Sequence, residues 1–301
     1  MVGPTAAGKT DLSISLAGDV FEIVSADSVQ VYRLLDIGSG KPPIDVRERI
    51  PHHLIDIVSP DYHFTAGDFC VRADEACADI AGRGRVPLFV GGTGLYISSF
   101  FFGLSDIPPV ASAVKEQVAH DIAAHGLASM YDELAACDPL FAARIHPNDR
   151  QRIARGLEVY RGLGRPLSGF YATRNARVSD DTLFVGLSVE RQPLRERISA
   201  RVGRMMADGF LDEVERLRAL GYGSSLNSMR SIGYAQLNEH LDGACGLDDA
   251  VGRIIIATAH YAKRQMTWFG RMPQVRWFSG EDQDGVRRCV DDWLQRAGPA
   301  G

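Results

Sequence analysis

Gly3-Pro4-Thr5-Ala6-Ala7-Gly8-Lys9-Thr10 satisfies G-x-x-x-x-G-K-[ST] in full and runs directly into a helical pattern carried by Leu12 and Leu16. In such a loop the glycines let backbone N–H groups close around phosphate oxygens at the start of a helix. The lysine adds a point charge, and the hydroxyl, here Thr10, can ligate Mg²⁺. The stretch reads as a phosphate-binding loop and sets the expected fold class: α/β, a P-loop NTPase-like parallel sheet core with an all-helical insertion. It does not say whose phosphate is held.

Downstream, short apolar runs alternate with helical stretches, as in an α/β sheet domain. Residues 21–26 (FEIVSA) read as a buried strand ending at Asp27, and residues 86–90 (VPLFV) as another ending at Gly91-Gly92. Thr65 and Asp68 have capping-box spacing ahead of a helix whose Phe69, Ala73, Ala76, Cys77 and Ile80 share one face; Gly82-Arg83-Gly84 should stop it. At Pro108-Pro109 the chain becomes Ala-rich and charged, with helical patterns at 117–136 and 150–160 and no clear strand. The expected division is a sheet core from 1–109 and 181–301, with the helical insertion at 110–180. A strand-like run at 182–189 (TLFVGLSV) returns to the sheet, followed by helices at 194–206, 209–220 and 247–269 and a last short strand before Phe278. Only Met1 and Val2 precede the loop, where a parallel sheet needs a whole buried strand, so further apolar sequence is expected in frame upstream of Met1.

With 301 residues, 45% of them hydrophobic, the chain can bury a sizeable core. No apolar run approaches the roughly 20 residues of a membrane helix, and there is no charged-then-apolar leader, so a soluble cytoplasmic monomer is expected. The five cysteines are scattered without C-x-x-C pairing or a matching histidine pair, which reads as buried free thiols and no zinc site. The net charge of −5 argues weakly against a nucleic-acid partner, but arginine supplies 29 of the 33 basic residues and many are grouped. Arg150, Arg152, Arg155, Arg161 and Arg165 form one group; Arg191, Arg195, Arg197, Arg201 and Arg204 a second; Lys263, Arg264, Arg271 and Arg276 a third. Each is either a solvated helix face or a local phosphate-binding surface, for which the planar guanidinium is suited.

Nucleotide hydrolases with this loop need a second acidic residue at the end of a buried strand, to hold metal and orient water. The second strand ends instead in Gly91-Gly92-Thr93-Gly94, whereas Asp27 ends the first, where it can serve as a metal ligand or a base. Chemistry alone leaves a P-loop kinase and a transferase that cradles a diphosphate leaving group.

The strings GPTAAGKT (3–10), SADSVQVYRLLDIGSGKP (25–42), HHLIDIVSP (52–60), VGGTGLYI (90–97), IHPNDRQRIARGLEVYR (145–161), SMRSIGYAQL (228–237) and AKRQMTWF (262–269) resemble, in order and spacing, the tRNA dimethylallyltransferase (isopentenyltransferase) family. The resemblance implies transfer of a dimethylallyl group from dimethylallyl diphosphate to N6 of the adenosine just 3′ of the anticodon, with Mg²⁺ present. It implies catalytic roles for Asp27 as base, Thr93 near the reacting amine and Arg201 on the diphosphate, with Gly3 to Thr10 holding that diphosphate and Thr10 the metal. It assigns tRNA contacts to Asp27, Ser28, Val29, Gln30, Thr93, Lys115, Gln151, Arg152, Ile153, Ala154, Arg155, Arg230, Lys263 and Arg264. Arg197, one turn before Arg201, is placed to share its load. Tyr96 and Trp268 either stack on bases or pack in the core. Two positions depart from the family pattern: Ala235 where a basic residue is usual, and Lys115 where arginine is. Prenylation of free adenine nucleotides and a small-molecule kinase are the competing readings.

Overall fold

Helix α1 (Lys9–Leu16) starts directly on Gly8, whose left-handed backbone (φ 87°) turns the chain from loop into helix without the clash a Cβ would bring. Then come β1 (Phe21–Ser25), α2 (Ile44–Arg49), the two-residue β2 (His52–His53), α3 (Ala66–Gly82), β3 (Val86–Val90) and α4 (Gly94–Phe102). A helical stretch contains α5 (Ser112–Cys137), α6 (Pro139–Ala142), α7 (Arg150–Leu163) and a 3-10 segment (Leu167–Thr173). The chain continues through β4 (Phe184–Ser188), α8 (Arg191–Ala207), α9 (Phe210–Ala219), a 3-10 turn (Ser228–Arg230), α10 (Tyr234–Leu241), α11 (Leu247–Phe269), β5 (Val275–Ser279) and α12 (Gln283–Ala297). This computed structural model describes residues 1–18, 20–105, 107–173, 178 and 181–297. The elements fall into two compact units, Met1–Phe101 with Val178–Gly301, and Phe102–Arg177.

In the sheet unit every strand pair is parallel: β1 with β2 and with β3, and β4 with β5. Parallel strands are covered on both faces, which is why β1 reads as an unbroken apolar run and is buried along its whole length. Met1 and Val2 lie between the two strand groups. Met1 donates to Phe89 O (2.6 Å) and accepts from Gly91 N (3.3 Å), while Val2 donates to Val185 O (2.8 Å) and accepts from Leu187 N (2.9 Å). The strand expected ahead of the loop is thus represented by two residues that hydrogen-bond both neighbours. A cavity of about 250 Å³ beside Met1 is walled by Val86, Pro87, Leu88, Phe101, Phe184 and Trp293. That opening corrects the reading of VPLFV as a buried strand, since only Phe89 of the five is fully buried.

Helix α3 begins on the capping box read from sequence: Asp68 N donates to Thr65 Oγ1 (3.2 Å) and Thr65 N to the Asp68 carboxylate (2.8 Å). Phe69 on its apolar face stacks on Tyr96 at 4.4 Å between ring centroids. Tyr96 is only 4% exposed, which places it in the core and removes it as a base-stacking surface. The five cysteines are free thiols, half-buried instead of fully buried.

The helical unit is organised by α5 and α7, which bury Val118, Ile122, Met130, Leu134, Ile153 and Leu157 in one cluster. Helix α5 breaks at Gly126 (φ 80°, ψ 162°), a conformation that suits glycine, so the continuous helix read from periodicity is two in sequence. Ile153 is fully buried here, so its side chain offers nothing to RNA. Arg161 forks onto Glu133 (2.9 and 2.8 Å) and reaches Asp121 (2.6 Å), an internal use that takes it out of the first basic group. Among the described residues, no helix is long and apolar enough to cross a membrane.

Glu22 on β1 is almost inaccessible and accepts two hydrogen bonds from Arg83 (3.0 and 2.8 Å), with His53 Nε2 at 2.7 Å. Hydrogen bonding from Arg83, then from His53, outweighs the opposing effect of burial and holds its carboxyl at about 2, against an ordinary 4.5. A depressed carboxyl contributes stability that is complete above the ordinary value and is lost as pH falls toward the folded one. Glu22→Gln should therefore be less stable than wild type at pH 7, and the gap should close between about pH 4.5 and 2 in acid unfolding followed by circular dichroism.

Candidate active site

The loop wraps the N-terminus of α1 in strained backbone. Gly3 (φ 141°) passes so close to β4 that a Cβ would lie 2.5 Å from Leu187 O, and Ala6 holds a left-handed φ of 62°. Such outliers persist only where surrounding structure imposes them. Lys9 Nζ donates to Gly3 O (2.9 Å) and Pro4 O (2.6 Å), closing the loop on itself. Burial pushes the Lys9 ammonium down to about 8, Asp27 pulls it back up, and Arg201 depresses it further.

The loop opens onto a cavity of about 1020 Å³ whose walls include Thr5 to Thr10, Asp27, Gln30, Arg197, Arg201, Arg204, Tyr261 and Gln265. Distant parts of the chain meet there: the loop, the end of β1, one face of α8, and α11. Asp27 follows β1, and one of its carboxylate oxygens accepts from Val29 N (2.8 Å) and Gln30 N (3.3 Å), fixing the turn that carries it. Arg201 lies against Gly40, where a Cβ would overlap its guanidinium, so glycine is what lets the arginine into the wall. Burial lowers its pKa, partly offset by Asp27 and reinforced by Arg204. Lys9, Asp27 and Arg201 thus act on one another through a low-dielectric space with more positive than negative charge.

The backing of Arg201 is itself held by a buried acid. Glu213 on α9 accepts from the backbone N–H of Asp36 (3.0 Å), Ile37 (2.7 Å) and Gly38 (3.2 Å) and from the Tyr234 hydroxyl (2.7 Å). Gln30, expected to touch RNA, spends its amide internally: Nε2 donates to Gly40 O (3.2 Å) and Oε1 accepts from Ser25 Oγ (2.8 Å). Thr93 stands next to Gly92 and its hydroxyl accepts from Ser28 N (3.0 Å), which ties the glycine turn to the Asp27 turn. Tyr261 meets both Thr93 and Gln265; burial and the Asp27 charge push its hydroxyl up to about 12, against those hydrogen bonds.

The remaining residues assigned from sequence divide by unit. Arg230, Lys263 and Arg264 are exposed in the sheet unit, Arg264 lying over the Tyr261 ring at 5.7 Å. Lys115, Gln151 and Arg152 are exposed in the helical unit, with Ala154 and Arg155 half-buried. Arg197 lines the cavity and also bonds Glu281 (3.1 Å). Trp268 is part-exposed, its indole N–H donating to Ser98 Oγ (2.8 Å). Sequence reasoning passed over Glu213, Tyr261 and Gln265, and placed Arg204 only within a basic group. Tyr261 and Gln265 lie four apart on one helix face, a signal the string at 262–269 half contained.

Fold and site together define a P-loop α/β protein whose loop shares one cavity with Asp27 and an arginine wall. An IPP transferase family model matches residues 30–272, and an isopentenyl transferase model matches residues 1–49. A tRNA dimethylallyltransferase of Geobacter sulfurreducens is 46% identical over 280 residues, covering 91% of this chain and 89% of its own. The crystal structure of the full-length tRNA isopentenylpyrophosphate transferase of Bacillus halodurans shares 34% identity with a TM-score of 0.71, over 98% of this chain and 96% of that one. A eukaryotic dimethylallyltransferase solved acting on tRNA aligns at 28% identity and a TM-score of 0.82, over 98% of this chain and 78% of that one. The chain belongs to the IPP transferase family, that of the tRNA dimethylallyltransferases.

If Lys9 meets the bound phosphate, affinity should fall as pH rises through about 8, where the ammonium loses its proton. Calorimetric titration with inorganic diphosphate, comparing wild type with Lys9→Met, isolates this component because titration of the ligand is common to both. Parallel pH profiles for the two proteins would refute the assignment.

Proposed function

We propose that this chain transfers the dimethylallyl group of dimethylallyl diphosphate to N6 of the tRNA adenosine just 3′ of the anticodon. The observation that carries the reading is the meeting of loop residues Thr5 to Thr10 with Asp27 and Arg201 in one cavity. The family's relatives, named for this reaction, support it.

In the proposed reaction N6 attacks C1 of the allyl group, the C1–O bond breaks with its electron pair leaving on the diphosphate, and the N6 proton passes to Asp27. The amine's lone pair is delocalised into adenine, so a carboxylate within hydrogen-bond reach contributes by taking that proton. Negative charge grows on the departing diphosphate, where the loop N–H groups, Lys9 and Arg201 stabilise it more in the transition state than before it. Among the described residues no cluster of three or more acidic, His or Cys side chains could hold a metal. Mg²⁺ binds through few protein ligands plus substrate phosphates. The exposed Thr10 hydroxyl would hold it, and its charge would offset that of the diphosphate.

The helical insertion, through Lys115, Gln151, Arg152, Ala154 and Arg155, is the proposed tRNA clamp, and in the sheet unit Ser28, Val29, Arg230, Lys263 and Arg264 are separately proposed tRNA contacts. A free nucleotide needs no such clamp, which favours tRNA over AMP as acceptor. The strand end at Gly91-Gly92 lacks the second acid a kinase would use. On this reading the enzyme acts in the cytoplasm, as a monomer.

Incubation with labelled dimethylallyl diphosphate and Mg²⁺, offering unmodified tRNA, AMP and ATP in parallel, should label tRNA alone; label in AMP and not in tRNA would overturn the proposal. Asp27→Asn should reduce turnover by roughly 10² to 10⁴ with donor binding largely kept, and unchanged turnover would remove Asp27 from the base role. Arg201→Ala should chiefly impair donor use. An effect confined to tRNA affinity would misplace that arginine.

A further inference from the structure

Gln265 is 4% exposed on α11 and bonds two segments far away in sequence. Its Oε1 accepts from Thr5 N (2.8 Å), 260 residues back in the phosphate loop. Its Nε2 donates to Gly92 O (3.0 Å) in the turn that carries Thr93. Gly92 has no room for a side chain, since a Cβ there would overlap the Gln265 amide. One turn earlier on the helix, Tyr261 meets Thr93; three residues later, Trp268 packs on Gly94 and donates to Ser98. This face, 261, 265 and 268, follows helical spacing and grips residues 92–98 at three points. Only Gln265 also reaches the loop. Lys263 and Arg264, between them in sequence, are exposed.

Building on the reading above, we infer that Gln265 is a positioning residue that sets the register between the donor loop and the acceptor turn. The Thr5 N–H is a loop donor spent on Gln265; without that acceptor the loop carries an unsatisfied group or rotates to find another partner. Either response re-aims the neighbouring N–H groups that would hold diphosphate. The second bond fixes the Gly92 carbonyl, and through Thr93 the Ser28 N–H beside Asp27. A glutamine suits both jobs because its amide is acceptor on one side and donor on the other. Displacements of about 1 Å between reacting groups can cost 100-fold, so a single bridging amide has leverage over rate without touching either substrate.

The test uses the full chain and two variants. Gln265→Leu keeps most of the volume and loses both bonds. Gln265→Glu, when protonated, restores an acceptor and a donor in the same places; when ionised it sets a carboxylate against the Gly92 carbonyl. In Gln265→Leu, inorganic diphosphate affinity and kcat at saturating donor should each fall about tenfold or more, the worth of one lost buried bond, with tRNA affinity within about twofold of wild type. In Gln265→Glu the activity relative to wild type should recover as pH is lowered from about 8.5 to 6, since burial raises a carboxyl's pKa into that range.

A Gln265→Leu protein with wild-type diphosphate affinity and kcat overturns the inference, as does a loss confined to tRNA affinity. Should Gln265→Leu fail to fold by circular dichroism, the pH profile of Gln265→Glu decides: a deficit independent of pH refutes the bridge. If wild type itself does not prenylate tRNA, the assigned reaction fails, and the diphosphate affinity of the variants still judges the link from Gln265 to the loop.

Discussion

Burying positive charge without a matching anion is unfavourable, and the cavity of this protein does it at two positions. Lys9 and Arg201 both have pKa values lowered by burial, and the one carboxylate in range of both is Asp27. The imbalance suits the site to an anion with several oxygens. Lys9 donates to the carbonyls of Gly3 and Pro4, so its charge is met by backbone dipoles as well as by Asp27. The strained loop and the glycines that admit Arg201 and Gln265 serve this arrangement of charge.

Holding such a site open falls to side chains that bond backbone across long stretches of sequence. Glu213 gathers three consecutive N–H groups at Asp36 to Gly38, and Gln30 binds the Gly40 carbonyl of the same loop, so the backing of Arg201 is pinned from two sides. Thr93 and Gln265 do the same for the turns around Asp27 and Gly92. Each is a polar group buried with a partner, stabilising when paired and costly when orphaned. The apolar core supports the elements, while these bonds set the angles of the loops between them.

Much of the site was legible in the residues because its signals are local. The loop motif, the Thr65–Asp68 capping box, the buried FEIVSA strand and the acid at its end depend on neighbours a few positions away, and they stand as read. Readings left open or mistaken were those where a residue's partner lies far off. Tyr96, left between a base and the core, goes to the core by stacking on Phe69. Arg161 looked like part of a basic patch until Glu133 and Asp121 claimed it. Ile153 sat inside a motif of polar residues and proved to be the apolar seam on which that helix packs.

The sequence by itself determined a loop motif of the kind that holds phosphate, which helix begins at it, and, through ordered motifs along nearly the whole chain, to which family the protein belongs. Chain-local chemistry suffices for these, since hydrogen-bond geometry at a helix N-terminus and the spacing of caps are written within a few residues. Only the tertiary structure decided which of the many arginines face the phosphate loop, that Gln30 and Thr93 spend their polar atoms on the scaffold, and that Gln265 spans two loops. Those outcomes depend on distances between residues up to 260 positions apart, which are set by how the parallel strands stack and not by anything the neighbouring residues encode.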